Sequence, residues 1–223
     1  MDLQKTFIRT VDVASNETEL TLSIHQVEHG DVGCVVWDAA LVLLKYLATP
    51  SGRKYVHNKC VIELGAGTGV VGLSAAIVGA SEVILTDLPD ILPLIDHNIK
   101  ENTNILAHSK AEISGSTLRW GNTADIKNIL RKHLIDCVLI SDCVYYEDGL
   151  DNLIETIIII LNSNPSATVL CSYEKRDTGN KVELLNKFLT ALQDELNVVF
   201  VPFFEMDEVY RSDDINIIVV TKS

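Results

Sequence analysis

Two carboxylates and three glycines, set along Val61-Ile-Glu-Leu-Gly-Ala-Gly-Thr-Gly69 and Val83-Ile-Leu-Thr-Asp87, are the residues of this chain best placed by type and spacing to hold a ligand. The order reads as strand, glycine-rich turn, helix and a second strand that ends in an acid. Val61, Ile62 and Leu64 suit a buried parallel strand, and Gly65, Gly67 and Gly69 let bare backbone turn tightly and approach a ligand closely. Asp87 follows Gly69 by 18 residues, at the end of the next strand, where an acidic residue grips ribose hydroxyls in nucleotide-binding folds. The pattern points to an adenosine-containing cofactor.

It is not the dinucleotide fingerprint G-x-G-x-x-G/A, because counting from Gly65 puts Val70 at the sixth position. A nicotinamide-dependent oxidoreductase is therefore disfavoured. The better description is Glu-x-Gly-x-Gly-x-Gly from Glu63 to Gly69, which is similar to the first motif of S-adenosylmethionine-dependent methyltransferases of the seven-β-strand class. There no pyrophosphate has to be cradled, and the acid lies near the cationic methionine end of the cofactor. Glycines alone would also fit a tight turn with no ligand; Glu63 and Asp87 together weigh against that.

The elements that must position these residues follow from periodicity. Thr6–Val13 and Glu19–Val27, around the turn Ala14-Ser-Asn-Glu17, predict an N-terminal β-hairpin outside the main sheet. Trp37–Ala48 has helical apolar spacing and ends at Thr49-Pro50, with a polar loop expected to Lys59. Beyond it, strands are predicted at 60–64, 82–86, 111–118, 135–141, 167–173, 197–203 and 215–221. Helices are predicted at 69–78, 89–102, 123–132, 149–161 and 181–196. The small face Gly72, Ala75, Ala76 and Gly79 lets the first of these helices lie close on the sheet. This alternation predicts an α/β fold: a Rossmann-like, seven-stranded, mostly parallel sheet with helices on both faces. The last two strands, joined without a helix, form an antiparallel C-terminal hairpin. One domain is expected over 1–223, with the hairpin and first helix in 1–50 and the Rossmann-like core in 59–223. Ligands in such sheets bind beyond the carboxyl ends of the strands at the topological switch point, which gathers Gly65–Gly69, Asp87, Trp120 and Ser141–Tyr146 around one cleft.

With 223 residues, 47% of them hydrophobic, the chain can bury a sizeable core. Cys34, Cys60, Cys137, Cys143 and Cys171 form no C-x-x-C pair and read as thiols in a reducing compartment, so a cytoplasmic protein, with the nucleus as a further site, is expected. No apolar run exceeds the six residues Ala39–Leu44, and Met1–Arg9 has no signal-peptide apolar region; no membrane association is expected. A formal net charge of −13 without basic clusters opposes a nucleic-acid phosphate backbone and favours a cationic acceptor such as lysine. The scattered histidines show no metal-ligand spacing, so no metal is expected.

Five runs resemble the methyltransferase-like group of non-SET protein-lysine methyltransferases: 32–40, 63–69, Leu118-Arg-Trp-Gly121, Asp142-Cys-Val-Tyr-Tyr-Glu147 and Tyr210-Arg-Ser-Asp-Asp-Ile215. The Asp-x-x-Tyr element at Asp142 is typical of the group. Gly33-Cys-Val-Val-Trp37 and Tyr210–Ile215 are similar to the branch that modifies valosin-containing protein, an AAA ATPase. The resemblance implies an S-adenosyl-L-methionine pocket lined by Trp37, Gly65, Ala66, Gly67, Asp87, Trp120, Ser141 and Tyr146, with Glu63 at its acidic end. It implies a monomer acting on a protein, with valosin-containing protein first, and a chaperone or an elongation factor as the other acceptors in the group. Asp142 and Tyr145 are then the catalytic pair, hydrogen-bonding the incoming amine and aiming its lone pair, with Tyr146 as an aromatic wall. A non-catalytic binding module on the same fold is the alternative.

Overall fold

A computed structural model describes residues 6–15, 18–27 and 32–222. In chain order the strands are β1 Thr6–Ser15, β2 Thr18–Val27, β3 Cys60–Leu64, β4 Glu82–Asp87, β5 Glu112–Thr117, β6 Cys137–Ser141, β7 Thr168–Glu174, β8 Leu196–Phe200 and β9 Ile215–Lys222. The helices are α1 Asp38–Ala48, α2 Pro50–Arg53, α3 Val70–Val78, α4 Leu92–Glu101, α5 Thr103–Leu106, α6 Thr123–Leu130, α7 Leu150–Ser163 and α8 Lys181–Glu195.

The apolar strands are buried on both faces, as parallel strands flanked by helices must be. Along β3, Val61 faces a core shared with α1, α3 and α4, while Ile62 and Leu64 face one shared with α6, α7 and α8. β4 and β6 divide the same way, with Val83, Leu85, Cys137 and Leu139 on the first side and Ile84, Val138 and Ile140 on the second. The seven-stranded sheet runs β5-β4-β3-β6-β7-β9-β8; β9 is antiparallel to β7 and β8, and the other pairs are parallel. The chain reverses its direction of travel across the sheet between β3 and β6, which puts the switch point beside the glycine turn.

The hairpin is a separate two-stranded sheet, with Thr6 opposite Val27. Its apolar face, including Val11, Val13, Leu22 and Ile24, joins the first core. The outer edge of β2 would leave backbone groups unpaired, and two buried asparagines one helical turn apart on α4 and just past its end satisfy them. Asn98 accepts from the His25 N–H at 2.8 Å and donates to the His25 carbonyl at 3.0 Å. Asn102 makes the same pair with Ser23, at 2.8 and 2.9 Å. Asn98 also donates to the Thr68 carbonyl at 2.9 Å, so hairpin and glycine turn share one side chain.

Some boundaries differ from expectation for local reasons. The predicted loop after Thr49 instead opens with α2: Pro50 takes the first helical position, and the Thr49 hydroxyl accepts from the Gly52 N–H at 3.1 Å. β8 stops at Phe200 rather than 203, since Pro202 has no N–H to donate and residues 203–205 form a short 3₁₀ turn. Helix 89–102 contracts to α4, and a further turn, α5, follows it. Asn16 and Glu17 of the predicted hairpin turn, and Met1–Lys5, lie outside the described residues.

Replacing Asn98 with alanine strands three backbone groups at once. The expected loss of stability is about 3 kcal/mol, read as a lower urea midpoint with an unchanged slope. Weaker cofactor binding should accompany it, because the Thr68 carbonyl is released.

Candidate active site

The turn after β3 is built from left-handed glycines, Gly65 at φ +65°, Gly67 at φ +56° and Gly69 at φ +79°. At Gly67 the requirement is also one of space, because a Cβ there would lie 2.4 Å from the Gly33 carbonyl oxygen. A Cβ on Gly65 would meet the Cys143 sulfur at 2.8 Å and the Trp120 ring at 2.9 Å. Gly65, Ala66, Gly67 and Thr68 of this close-packed turn line a cleft of about 520 Å³.

Both acids flanking the turn brace it. Asp87 lines the cleft; one of its oxygens accepts from the Gly67 N–H at 2.8 Å and the other from the Leu88 N–H at 2.7 Å. Glu63, expected among the cofactor-contacting residues, is not part of the cleft lining. Its side chain is buried beneath the first turn of α3, where Oε2 accepts from the Gly72 N–H at 2.8 Å. Gly72 must lack a Cβ for this, since one would sit 2.8 Å from that oxygen and 2.2 Å from Leu85. Burial pushes the Glu63 carboxyl up to about 8, opposed by the Gly72 N–H and reinforced by the Asp87 charge. Its Oε1 has no hydrogen-bond partner among the described residues.

The remaining expected residues also meet here: Trp37, Ala66, Trp120, Ser141, Asp142, Tyr145 and Tyr146 all line the cleft. Trp37, at the start of α1, and Tyr146 form its exposed rim. The Tyr145 and Tyr146 rings lie 4.7 Å apart at 60°. Asp142 follows β6 with a left-handed φ of +54°, a region that aspartate tolerates better than most residues. Its carboxylate does not stand open to an incoming amine as expected. Arg176 grips both of its oxygens, one of them at 3.0 Å, and also reaches Glu174 at 2.7 Å. The side chain of Asp142 is only 5% exposed, so this is a desolvated, charge-assisted pair.

Residues outside the expected cofactor-binding and catalytic set complete the site. Arg176 and Lys181 come from after β7 and the start of α8; the Lys181 ammonium donates to the Tyr145 carbonyl and sits 5.4 Å from the Tyr146 ring. Gly33 and Val36 supply a wall fixed from the hairpin, where Gln26 accepts from the Val36 N–H at 2.7 Å and Arg9 donates to the Val36 carbonyl at 3.2 Å. Cys143 is buried against the Leu64 carbonyl at 3.5 Å; burial holds its thiol well above the ordinary range, an inert packing group rather than a nucleophile.

The donor set fits S-adenosylmethionine. A glycine turn at Gly65–Gly67, an acid at the end of β4, and apolar and aromatic walls suit an adenosine joined to a cationic amino acid. Gly67→Ala should weaken binding of S-adenosylhomocysteine at least tenfold by calorimetry, a cost of about 1.4 kcal/mol or more. In the cofactor-free chain, native Glu63 keeps a proton that the unfolded chain gives up above about pH 4.5, so the stability it contributes declines as pH rises from there to about 8. Glu63→Gln removes that dependence. Relative to wild type, the variant should gain on the order of 3 kcal/mol between pH 5 and pH 8 in paired unfolding curves.

Known proteins are similar to this chain in sequence and in fold. The family model described as Lysine methyltransferase matches residues 16–195. Protein N-lysine methyltransferase METTL21A of Danio rerio is 32% identical over 180 residues, 78% of this chain and 79% of that protein. METTL21A of Xenopus tropicalis is 38% identical over 141 residues, 63% of this chain and 60% of that protein, so the match spans less than two thirds of its length. An O-methyltransferase from Bacillus cereus, solved in complex with SAH, shares the fold at a TM-score of 0.52 and 14% identity, over 83% of this chain and 79% of that one. With the family model covering most of its length, and with a cleft built for the same cofactor, this chain belongs to the lysine methyltransferase family, S-adenosylmethionine-dependent enzymes that methylate lysine side chains of proteins.

Proposed function

We propose that this chain methylates a lysine ε-amino group of valosin-containing protein, acting in the cytosol as a monomer. The observation that carries the reading is the convergence of two surfaces on one cavity. The glycine cradle with Asp87 forms one end, and Trp37, Tyr145 and Tyr146 frame the open rim. The choice of acceptor is supported by the two runs similar to the branch acting on that ATPase. Trp37 ends the first. The second, Tyr210–Ile215, borders a groove of about 210 Å³ with Asp38 and Glu174. Glu174 is tied through Arg176 to Asp142, which joins groove to cleft.

Bound S-adenosylmethionine supplies a methyl group on a sulfonium, open to in-line attack by a neutral amine. The chain's own task is alignment and exclusion of water. Arg176 fixes the Asp142 carboxylate, whose remaining lone pairs can still accept from an amine N–H and turn its lone pair toward the cradle. The Tyr145 and Tyr146 rings offer a π surface that holds the alkyl stem of lysine and tolerates a methylated, cationic product. No disulfide joins the cysteines among the described residues, which supports a reducing compartment.

The test is transfer of radiolabelled methyl from S-adenosylmethionine to purified valosin-containing protein, beside a chaperone and an elongation factor. Label on the ATPase alone supports the whole reading; label on another protein keeps the chemistry and discards this acceptor. Asp142→Ala should lower kcat about 100-fold or more while cofactor binding persists, the size expected for a group that orients the reacting amine. Tyr145→Phe should cost about tenfold, the worth of one hydrogen bond in the transition state. Since only the neutral amine reacts, kcat/KM should rise with pH toward the lysine pKa of about 10.4. Cofactor binding without label on any acceptor would favour a non-catalytic module.

A further inference from the structure

At the end of the sheet opposite the cleft, a sulfur, a carboxylate and an imidazole meet. Cys60 and Glu82 open β3 and β4 and are partners in the parallel register, so their side chains stand side by side on one face. His133, from the segment between α6 and β6, closes the group. The Cys60 thiol donates to Glu82 Oε2 at 3.1 Å, and His133 Nδ1 lies 2.8 Å from Glu82 Oε1. All three candidate ligand atoms fall within 4.8 Å of one another, and all three residues are half-buried. Asp136 accepts from the Cys60 N–H at 3.0 Å, which anchors the first strand residue from behind.

We propose that Cys60 Sγ, a Glu82 oxygen and His133 Nδ1 form a zinc site, with the fourth position open to water. The mixed S, N and O donor set is what borderline-soft Zn²⁺ takes, whereas Mg²⁺ and Ca²⁺ require oxygen alone. At metal–ligand lengths of 2.0–2.3 Å, ligand atoms of a tetrahedron lie roughly 3.3–3.8 Å apart, so the present contacts must open by roughly half an ångström. Rotation of the Glu82 and His133 side chains, both partly solvent-facing, provides that movement. The metal displaces the thiol proton, which passes to solvent; a proton on His133 Nδ1 moves to Nε2 when the ring is neutral and passes to solvent when it is an imidazolium, so the bound imidazole is neutral. Thiolate and carboxylate then balance the 2+ charge, and no electron is exchanged. Such a centre clasps the starts of β3 and β4 to the α6–β6 segment, a structural staple remote from the methyl-transfer cleft. Spacing along the chain hides it, because its ligands come from three separate segments.

The test titrates the metal-free full-length chain with Zn²⁺ against a chromogenic chelator, and with Co²⁺ as a spectroscopic probe. Wild type should bind one equivalent of Zn²⁺, show a thiolate-to-Co²⁺ charge-transfer band and melt at higher temperature when loaded. Cys60→Ser, which keeps a hydroxyl donor for Glu82, should lose the band. Both it and His133→Gln should bind zinc at least about tenfold more weakly, a loss seen even when only a supporting contact to a metal is removed. S-adenosylhomocysteine binding should be unchanged in both variants. No stoichiometric binding by folded wild type, or unchanged affinity in both variants, overturns the site.

Discussion

The cofactor end of this fold depends on one close approach, that of Gly67 to the backbone at Gly33, with the Asp87 carboxylate pulling on the Gly67 N–H from the other side. Nothing larger than glycine fits between, and the left-handed φ excludes most other residues on its own account. Each neighbour of this contact is held from elsewhere. Gly33 belongs to a segment fixed by Gln26 and Arg9 of the hairpin, and Thr68 is tied to the same hairpin by Asn98. Glu63 and Gly72 seat α3 directly on β3 and β4, which sets the angle at which the turn leaves the sheet. The hairpin is thus part of the site's scaffold, although it pairs with no strand of the main sheet.

The acceptor end is organised by the Asp142–Arg176 pair. A buried carboxylate is costly without a partner, and here the partner comes from beyond the next strand, so the loops after β6 and β7 are locked to one another. Because Arg176 also holds Glu174 and lies 5.9 Å from the Trp37 ring, the pair links three walls of the rim. A side chain entering the cleft meets a preset arrangement, the condition under which orientation lowers a barrier.

Alternation of apolar strands and amphipathic helices made the sheet legible, because parallel strands buried on both faces leave near-continuous Val, Ile and Leu runs. The glycine turn and Asp87 were legible because few other residue types can occupy those positions. The pairing of Arg176 with Asp142 and the place of Lys181 were not, since a charged residue outside a periodic pattern takes its meaning from a partner far along the chain. Glu63 shows the opposite limit: its type and position were recognised, but its direction was not. In β3 it shares a face with Val61, the α3 side, whereas Ile62 and Leu64 face the other core, and that face lies under the helix rather than in the cleft. The roles of Asn98 and Asn102 carry no local signal, because the β2 backbone they satisfy lies 73 and 79 residues away along the chain.

The charge balance of the site carries a conflict that the geometry resolves. A chain at −13 attracts a lysine ammonium toward the cleft, yet the same negative field stabilises the proton that must leave before attack. At neutral pH the neutral amine of an unperturbed lysine costs about 4 to 5 kcal/mol, and an unpaired Asp142 would add to that cost. Arg176 neutralises Asp142, and Lys181 places a second cation beside the Tyr145 and Tyr146 rings, so the last few ångströms of the path are less acidic than the surface leading to them. Long-range attraction by the surface and local opposition by Lys181, with Asp142 neutralised, therefore act at different distances on the same substrate. The first raises the encounter rate, and the second lowers the pKa of the amine once it has arrived.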